Sequence, residues 1–330
     1  MVDVSIIIPA FDRRDRLVGT LKSLEALDYS EDAFEVILVD DGSRDGTAQF
    51  FRQREYTFQF HCLQHPHNRG RSAARNSGVK KARGRIVVFL DDDMQAVPDL
   101  LREHLKHHRD GHRAVVLGNI RRAPQVTPTA LIRYLDSRGV QKLQPGAPIP
   151  FRYFSAGNVS MEREFLLQTG LFDERFRSFG GEDLELGYRL SSNGARFVFA
   201  PGALTYRLDY RDISDLCRAM KIFGHDSLPI ILRTHPQLGE LFKLSNDQLA
   251  DHPRGRGRLP LRPQLLRFFL WSPWGAVVRG AARALNRFPA PSLLFDYLIF
   301  FSIMKGYQQY VRNMGEPAAE PGERFRNLPS

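Results

Sequence analysis

Ile86-Val87-Val88-Phe89-Leu90-Asp91-Asp92-Asp93 sets five apolar residues directly against three carboxylates. Five consecutive apolar residues, rich in β-branched types, read as a strand buried on both faces. Two earlier stretches repeat the design. Val4-Ser5-Ile6-Ile7-Ile8 is a buried strand that Pro9 ends, and Val36-Ile37-Leu38-Val39 runs into Asp40-Asp41-Gly42-Ser43. Between them the period changes: Leu17, Leu21, Leu24 and Leu27 fall at helical spacing, and 72–82 reads as a helix with Gly70 and Gly84 outside its ends. A weaker strand is expected over 58–63. Strands alternating with helices predict an α/β fold, a Rossmann-like, mostly parallel sheet with helices on both faces. Ligands of such sheets sit at the carboxyl ends of strands, where both acidic clusters fall.

Farther along, 114–117 is expected as a strand and the Pro-rich 124–150 as a long excursion over the site. A strand over 153–160 and a helix over 163–169 follow. Gly180-Gly181 precedes a helix over 182–191, which Asn193-Gly194 stops. Arg196 to Ala200 is expected as a strand ended by Pro201, and 212–223 as a helix. After 251 the composition changes. Arg254-Gly255-Arg256-Gly257-Arg258 reads as a basic linker, 265–274 and 292–304 are aromatic-rich apolar stretches, and 316–330 reads as a disordered end. The expected domains are therefore 1–251 for the catalytic body, 252–315 for a helical C-terminal extension, and 316–330 for a tail.

The chain of 330 residues carries a formal charge of +10, from 47 Lys and Arg against 37 Asp and Glu. From His252 onward there are twelve basic and four acidic residues, so +8 belongs to that segment and only +2 to the rest. A uniformly basic nucleic-acid-binding protein is thereby disfavoured, and no nucleic-acid partner is expected. Cys62 and Cys217 are isolated thiols with no framework to staple a secreted domain. No basic n-region with a cleavable apolar stretch is visible, and no window reaches the ~18 apolar residues of a spanning helix. The stretch over 292–304 would be only ~20 Å long as a helix. The expected location is cytoplasmic, peripheral on the inner face of the cell membrane. Two readings of the C-terminal aromatics stay open: core of helices packed against the catalytic domain, or an interfacial surface of Phe268, Phe269, Trp271 and Trp274 with neighbouring Arg on anionic lipid.

Three adjacent carboxylates at a strand end repel one another, and a divalent cation with a diphosphate would offset that. Mg²⁺ or Mn²⁺ is commonly held by one or two carboxylates plus substrate phosphates. A solvated acidic turn is the simpler alternative. Asp40-Asp41-Gly42-Ser43 can accept from a base or ribose, or can form a strand-to-helix turn capped by Ser43 or Asp45. Gly180-Gly181-Glu182-Asp183 places two carboxylates on the first turn of a helix, either as ordinary capping or with one of them as a general base.

Taken in order, Val4 to Phe11, Val39 to Thr47, Asn68-Arg69-Gly70 with Ala74-Arg75-Asn76-Ser77-Gly78, Phe89 to Asp93, Ala156-Gly157-Asn158, Phe172-Asp173-Glu174 and Phe179 to Leu190 resemble the motifs of family 2 glycosyltransferases. The resemblance covers about 2–210. It implies the GT-A fold and an inverting, nucleotide-sugar-dependent enzyme of hexosyltransferase type, with UDP-sugar favoured. It also implies residue roles. Pro9, Phe11, Asp40, Asp41, Arg69, Arg75 and Asp92 would serve the nucleotide, with Arg71 in the same region. Asp91 and Asp93 would form the Asp-x-Asp metal motif. Asp183 would be the catalytic base, with Glu182 beside it as an orienting carboxylate. Gly157, Asn158 and Gly181 would lie where donor and acceptor meet. The implied partners are a nucleotide-sugar donor, a glycan or lipid-linked acceptor and an anionic membrane surface.

One departure concerns the metal. Many members of the family carry a metal-ligating His where this chain has Arg207. Arginine cannot ligate a metal, but it can meet a diphosphate bidentately. Rival readings are a sugar nucleotidyltransferase, which gives Gly180-Gly181-Glu182-Asp183 no role, and a non-catalytic nucleotide-sugar-binding protein, against which Asp91, Asp93 and Asp183 argue.

Overall fold

A computed structural model describes residues 2–108, 113–143, 148–242, 272–286 and 291–314. The chain divides into two compact units. The first comprises 1–127, 135–177 and 182–210, and the second 128–134, 178–181 and 211–330. The last boundary between them falls at Tyr210/Arg211, ahead of the composition change after 251.

The first unit is built on eight strands. These are β1 (Val4–Ala10), β2 (Phe34–Asp40), β3 (Gln59–Gln64), β4 (Ile86–Leu90), β5 (Met94–Ala96), β6 (Ala114–Arg122), β7 (Asn158–Glu162) and β8 (Arg196–Arg207), in the order β3-β2-β1-β4-β7-β6-β8-β5. Strands β1 to β4 run parallel, as do β6 and β8. Strand β7 is antiparallel to both its neighbours, and β5 is antiparallel to β8. The sheet is therefore mixed, with a parallel half that carries the two acidic strand ends.

Its helices are α1 (Arg14–Leu24), α2 (Thr47–Arg52), α3 (Arg71–Lys81), α4 (Leu100–Leu105), α5 (Ala130–Asp136, crossing the division), α6 (Arg163–Thr169) and α7 (Glu182–Ser192). The continuous apolar runs resolve into two faces, because alternate side chains of a strand point oppositely. Ile7, Ile37, Val87 and Phe89 join Ala74, Val79, Leu166, Leu186 and Leu190 in one core. Ile6, Ile8, Val36, Leu38, Val88 and Leu90 join Leu17, Leu21 and Leu24 in the other. Each fully buried Ile, Leu or Val contributes on the order of 1.5–3 kcal/mol.

Two prolines expected to end strands do not. Pro9 stays in β1 opposite Val39, and the ladder with β4 stops at Ile7, so the missing N–H is not needed on that side. Strand β8 continues through Pro201 to Arg207. Its register against β6 jumps there, Gly118 facing Ala200 and the next residue, Asn119, facing Leu204, so Pro201-Gly202-Ala203 form a bulge that needs no ladder donor. The strand expected over 153–160 is a 3₁₀ turn at Phe151–Tyr153, a loop, and then β7. The excursion over 124–150 contains α5.

The second unit is helical. Helix α8 (Ile213–Ile222) is capped by Asp212, whose carboxylate accepts from the Asp215 N–H at 2.8 Å. It continues through a π-helical turn, Phe223–Ser227, into α9 (Leu228–Thr234). Two further helices span Ser272–Ala284 and Ser292–Asn313. The last has 22 residues, longer than the 13-residue apolar stretch because polar residues past Met304 continue its helical pattern. Phe295, Leu298, Phe301 and Met304 on it are buried, which makes these aromatics core. No described helix is long and apolar enough to cross a membrane. The linker at 254–258, Phe268, Phe269, Trp271 and the segment 316–330 lie outside the described residues, as does the side chain of Trp274.

Candidate active site

One strand end and one helix start bring five carboxylates together. Strand β4 delivers Asp91, Asp92 and Asp93, and α7 begins with Glu182 and Asp183. Gly180 and Gly181 both have positive φ, +76° and +97°, so the turn into α7 adopts a backbone that side chains with a Cβ disfavour.

Arg75, from the middle of α3, sits fully buried among these groups. Its Nη2 donates to Asp91 Oδ1 at 3.1 Å, and its Nη1 donates to Glu182 Oε1 at 3.4 Å and stands 3.7 Å from Asp183 Oδ1. Its guanidinium also lies over the Phe172 ring, 5.3 Å from the centroid. With 1% of its surface exposed, Arg75 meets the carboxylates from behind and has no open face for a nucleotide. Sequence reasoning placed it with the nucleotide; the structure makes it the counter-charge of the acidic cluster.

Arg207, at the end of β8, is the second cation. Its Nη2 is 3.7 Å from Asp91 Oδ2 and its Nε 3.8 Å from Asp93 Oδ2. Arg71 adds a more distant positive field on Asp91 and Asp92. Burial acts against ionisation throughout, and proximity to the guanidiniums decides which carboxylate resists it. Asp91, between Arg75 and Arg207, is held below the usual carboxylate range. Asp92 is pushed up to about 8 by burial and by Asp93 and Asp91. Burial raises Asp93 to about 6, even with Arg207 beside it. Asp183 is raised to about 7, by burial first and then by Glu182.

Asp183 is further defined by its two oxygens. Oδ2 accepts the Ala156 backbone N–H at 3.2 Å, while Oδ1 is buried with no hydrogen-bond partner. The first bond fixes the carboxylate's rotation, and the second oxygen keeps its lone pairs for another donor. Gly157 comes next. It accepts from the Asp91 N–H through its carbonyl, and a Cβ there would stand 2.8 Å from Asp91 Oδ2 and 3.3 Å from Ile120 Cδ1. A glycine is therefore what lets β7 approach the acidic strand end.

Asn158, one residue on, turns into the core. Its amide donates to the Ala203 carbonyl and to Thr205 Oγ1, and its oxygen accepts from His104 Nε2 at 2.8 Å. Ser160 then donates to His104 Nδ1, and His108 Nε2 donates to Ser160. This chain uses every polar atom of Asn158, which leaves none for a donor or acceptor sugar.

The carboxyl ends of β1, β2 and β3 open onto a cavity of about 430 Å³, lined in part by Phe11, Ser43, Arg44, His65, His67 and Asn68. Phe11 is 38% exposed at its rim, and Pro9 is buried in β1 below. Asp40 accepts from the Ser43 N–H, and its Oδ2 is buried without a partner. Asp41 is fully engaged. It accepts from His65 Nδ1 at 2.7 Å and from the backbone N–H groups of Arg69 and Gly70. His65 Nε2 in turn accepts from the Ser77 hydroxyl at 2.9 Å. Sequence reasoning missed this Ser77–His65–Asp41 chain. Ser77 stood within a quoted motif, but nothing in the spacing ties it to a His at the end of β3. Arg69 is half exposed and pairs with Glu174 at 3.0 Å.

Residues 5–166 match the model described as glycosyl transferase family 2, and 139–212 match one described as N-terminal domain of galactosyltransferase. Residues 5–166 thus form a glycosyltransferase family 2 domain. Similar proteins include the uncharacterized glycosyltransferase YfnE of Bacillus subtilis, 29% identical across 58% of this chain and 61% of that protein. Chondroitin synthase of Pasteurella multocida is 28% identical across 62% of this chain and 24% of that one. The chain thus spans about three fifths of the first of these and a quarter of the second. Among solved structures, mannosyltransferase PcManGT of Pyrobaculum calidifontis, in complex with GDP-Man and Mn²⁺, superposes with a TM-score of 0.58 at 18% identity, over 94% of this chain and 87% of that one. S. aureus TarS 1–349 in complex with UDP-GlcNAc gives 0.51 at 18%, over 93% and 92%. The fold is GT-A.

Proposed function

We propose that this glycosyltransferase moves a hexose from a nucleoside diphosphate donor, a UDP-sugar by preference, to an acceptor hydroxyl with inversion at the anomeric carbon. The observation that supports it most directly is the asymmetry of Asp183, with one oxygen tied to Ala156 and the other buried and unpartnered.

In this reading the base and ribose occupy the cavity beside Phe11, with Asp40 and Asp41 shaping its floor. The diphosphate lies across Asp91 to Asp93, where Arg207 meets its oxygens. Asp183 Oδ1 takes the proton of the acceptor hydroxyl. The acceptor oxygen bonds to the anomeric carbon as the bond from that carbon to the phosphate oxygen breaks, and the nucleoside diphosphate leaves with the electron pair. Arg75 keeps Asp91 ionised and orients Glu182 and Asp183, which makes it a positioning residue. A single displacement inverts configuration.

Asp91 and Asp93 fit a divalent cation as a two-carboxylate site. Asp93 Oδ1 is buried without a hydrogen-bond partner, and the ion's remaining ligands would be donor phosphates. No cluster of three or more His, Cys, Asp or Glu suited to a metal occurs among the described residues. Bound there, Mg²⁺ or Mn²⁺ would screen the charge of the leaving diphosphate. The mannosyltransferase complex with GDP-Man and Mn²⁺ supports that assignment. The chondroitin synthase likeness favours a glycan acceptor, and the +8 C-terminal segment favours a lipid-linked one at an anionic membrane surface. A sugar nucleotidyltransferase would leave Asp183 without work.

A nucleotide-release assay across UDP-, GDP- and dTDP-sugars, with and without EDTA, tests the reading. Release from one donor class, lost in Asp183→Asn, is the expected result. Full activity in that variant would overturn the role of Asp183.

A further inference from the structure

The second unit contains a cleft that glycosyl transfer does not use. Helix α8, the Ser272–Ala284 helix and the Ser292–Asn313 helix enclose about 740 Å³, and six cations line it: Arg218 and Lys221, Arg279 and Arg283, Lys305 and Arg312, two from each helix. Among the described residues no carboxylate lines it. Asp215 pairs with Arg218 from one turn earlier on α8, at 3.4 Å, and is half exposed. Two of the cations are fixed over an aromatic face. Arg279 and Lys305 lie 5.9 and 5.6 Å from the centroid of Phe301, which is itself buried. Arg283 is held by a hydrogen bond to the Ser214 hydroxyl.

Like charges gathered from three helices repel, and the cost is visible at Lys305, whose ammonium is held below its usual range by burial and then by Arg312 and Lys221. Anchoring on an aromatic ring and a hydroxyl orients these groups but does not neutralise them. An anion would. Four guanidiniums supply planar forks suited to phosphate oxygens, and two ammoniums supply point charges. Gln308, Gln309 and Asn313 add neutral hydrogen-bonding groups on the same wall.

We propose that this cleft binds a phosphate group, of the mono- or diphosphate class. None of its lining residues belongs to the proposed donor site, and binding there does not depend on the transfer chemistry.

The test uses the full chain and inorganic pyrophosphate as the probe, followed by calorimetry. Wild-type protein is expected to bind it at a site that the double variants Lys221→Gln/Lys305→Gln and Arg279→Gln/Arg283→Gln lose, with at least tenfold weaker affinity. Lys221→Arg/Lys305→Arg, which keeps the charge, should retain it. Nucleotide release from the donor should be unchanged in all of them, so failure here is separable from failure of the transferase reading. A second arm sediments the protein with vesicles of phosphatidylglycerol or of phosphatidylcholine. Pyrophosphate-sensitive binding to the first alone, lost in the Gln variants, identifies a lipid headgroup as the source. Pyrophosphate binding without vesicle binding identifies a soluble phosphate. Pyrophosphate affinity that is absent, or equal in wild type and both Gln variants, would overturn the proposal.

Discussion

Arg75 Nη1 stands 3.7 Å from Asp183 Oδ1, close enough to pair but outside hydrogen-bonding range. Arg75 therefore favours the anionic form without occupying the lone pairs of Oδ1. Asp183→Asn should lower kcat by about 10²–10⁴, the range of a lost general base, while donor affinity measured by calorimetry stays unchanged. In wild type, kcat/KM should rise with pH through about 7, because the base acts only once ionised. That limb should vanish in the variant.

Arg75→Met removes the one buried cation that Asp91, Glu182 and Asp183 share. Stripping one partner from a buried ion pair typically costs about 3–5 kcal/mol. The urea midpoint should fall accordingly. Asp183, losing a favourable charge, should titrate above its wild-type value, which a shifted pH–rate limb would reveal in any folded fraction.

Gly157→Ala places a methyl 2.8 Å from Asp91 Oδ2, with Ile120 crowding it from the other side at 3.3 Å. Asp91 must turn away from Arg75 or β7 must withdraw. Donor binding should weaken more than overall stability, and calorimetry beside thermal denaturation would separate the two.

The His108–Ser160–His104–Asn158 chain predicts acid sensitivity. Burial lowers His104 to about 4 and His108 to about 3. Both are neutral in the folded state, whereas an unfolded His binds a proton below about 6.5. The unfolded state therefore holds more protons, and stability falls as pH drops from 6.5 towards 4. For His104 the difference amounts to about 3 kcal/mol. The raised carboxylates Asp92, Asp93 and Asp183 slope the opposite way, since they favour the folded state at low pH. The measurement is thus the difference between wild type and His104→Gln in urea titrations at pH 7, 5 and 4, and it should shrink as pH falls.

The strands and the acidic clusters were legible because they are local: an apolar run followed by carboxylates is visible within eight residues. The partnerships were not. Arg75 was visible as part of a motif, yet its burial depends on α3, β4 and α7 converging from distant parts of the chain. Asn158 is adjacent in sequence to Gly157, but the alternation of a strand sends its side chain into the core. The mixed half of the sheet was harder to see, because β7 and β8 are short or interrupted by Pro201 and carry no clean period. The main segment of the helical unit starts at Arg211, where composition is still ordinary, since what defines it is the packing of α8 on the Ser292–Asn313 helix.

The bulge at Pro201-Gly202-Ala203 works as a phase shifter. Side chains alternate along the ladder, where Leu204 to Arg207 face Asn119 to Arg122, so this register sets which face Arg207 addresses. Without the bulge the pairing of Gly118 with Ala200 would run on in step and put Leu204, rather than Arg207, opposite Arg122. The position of the cation that faces the acidic pair is thus encoded in a count of residues as well as in the identity of one of them.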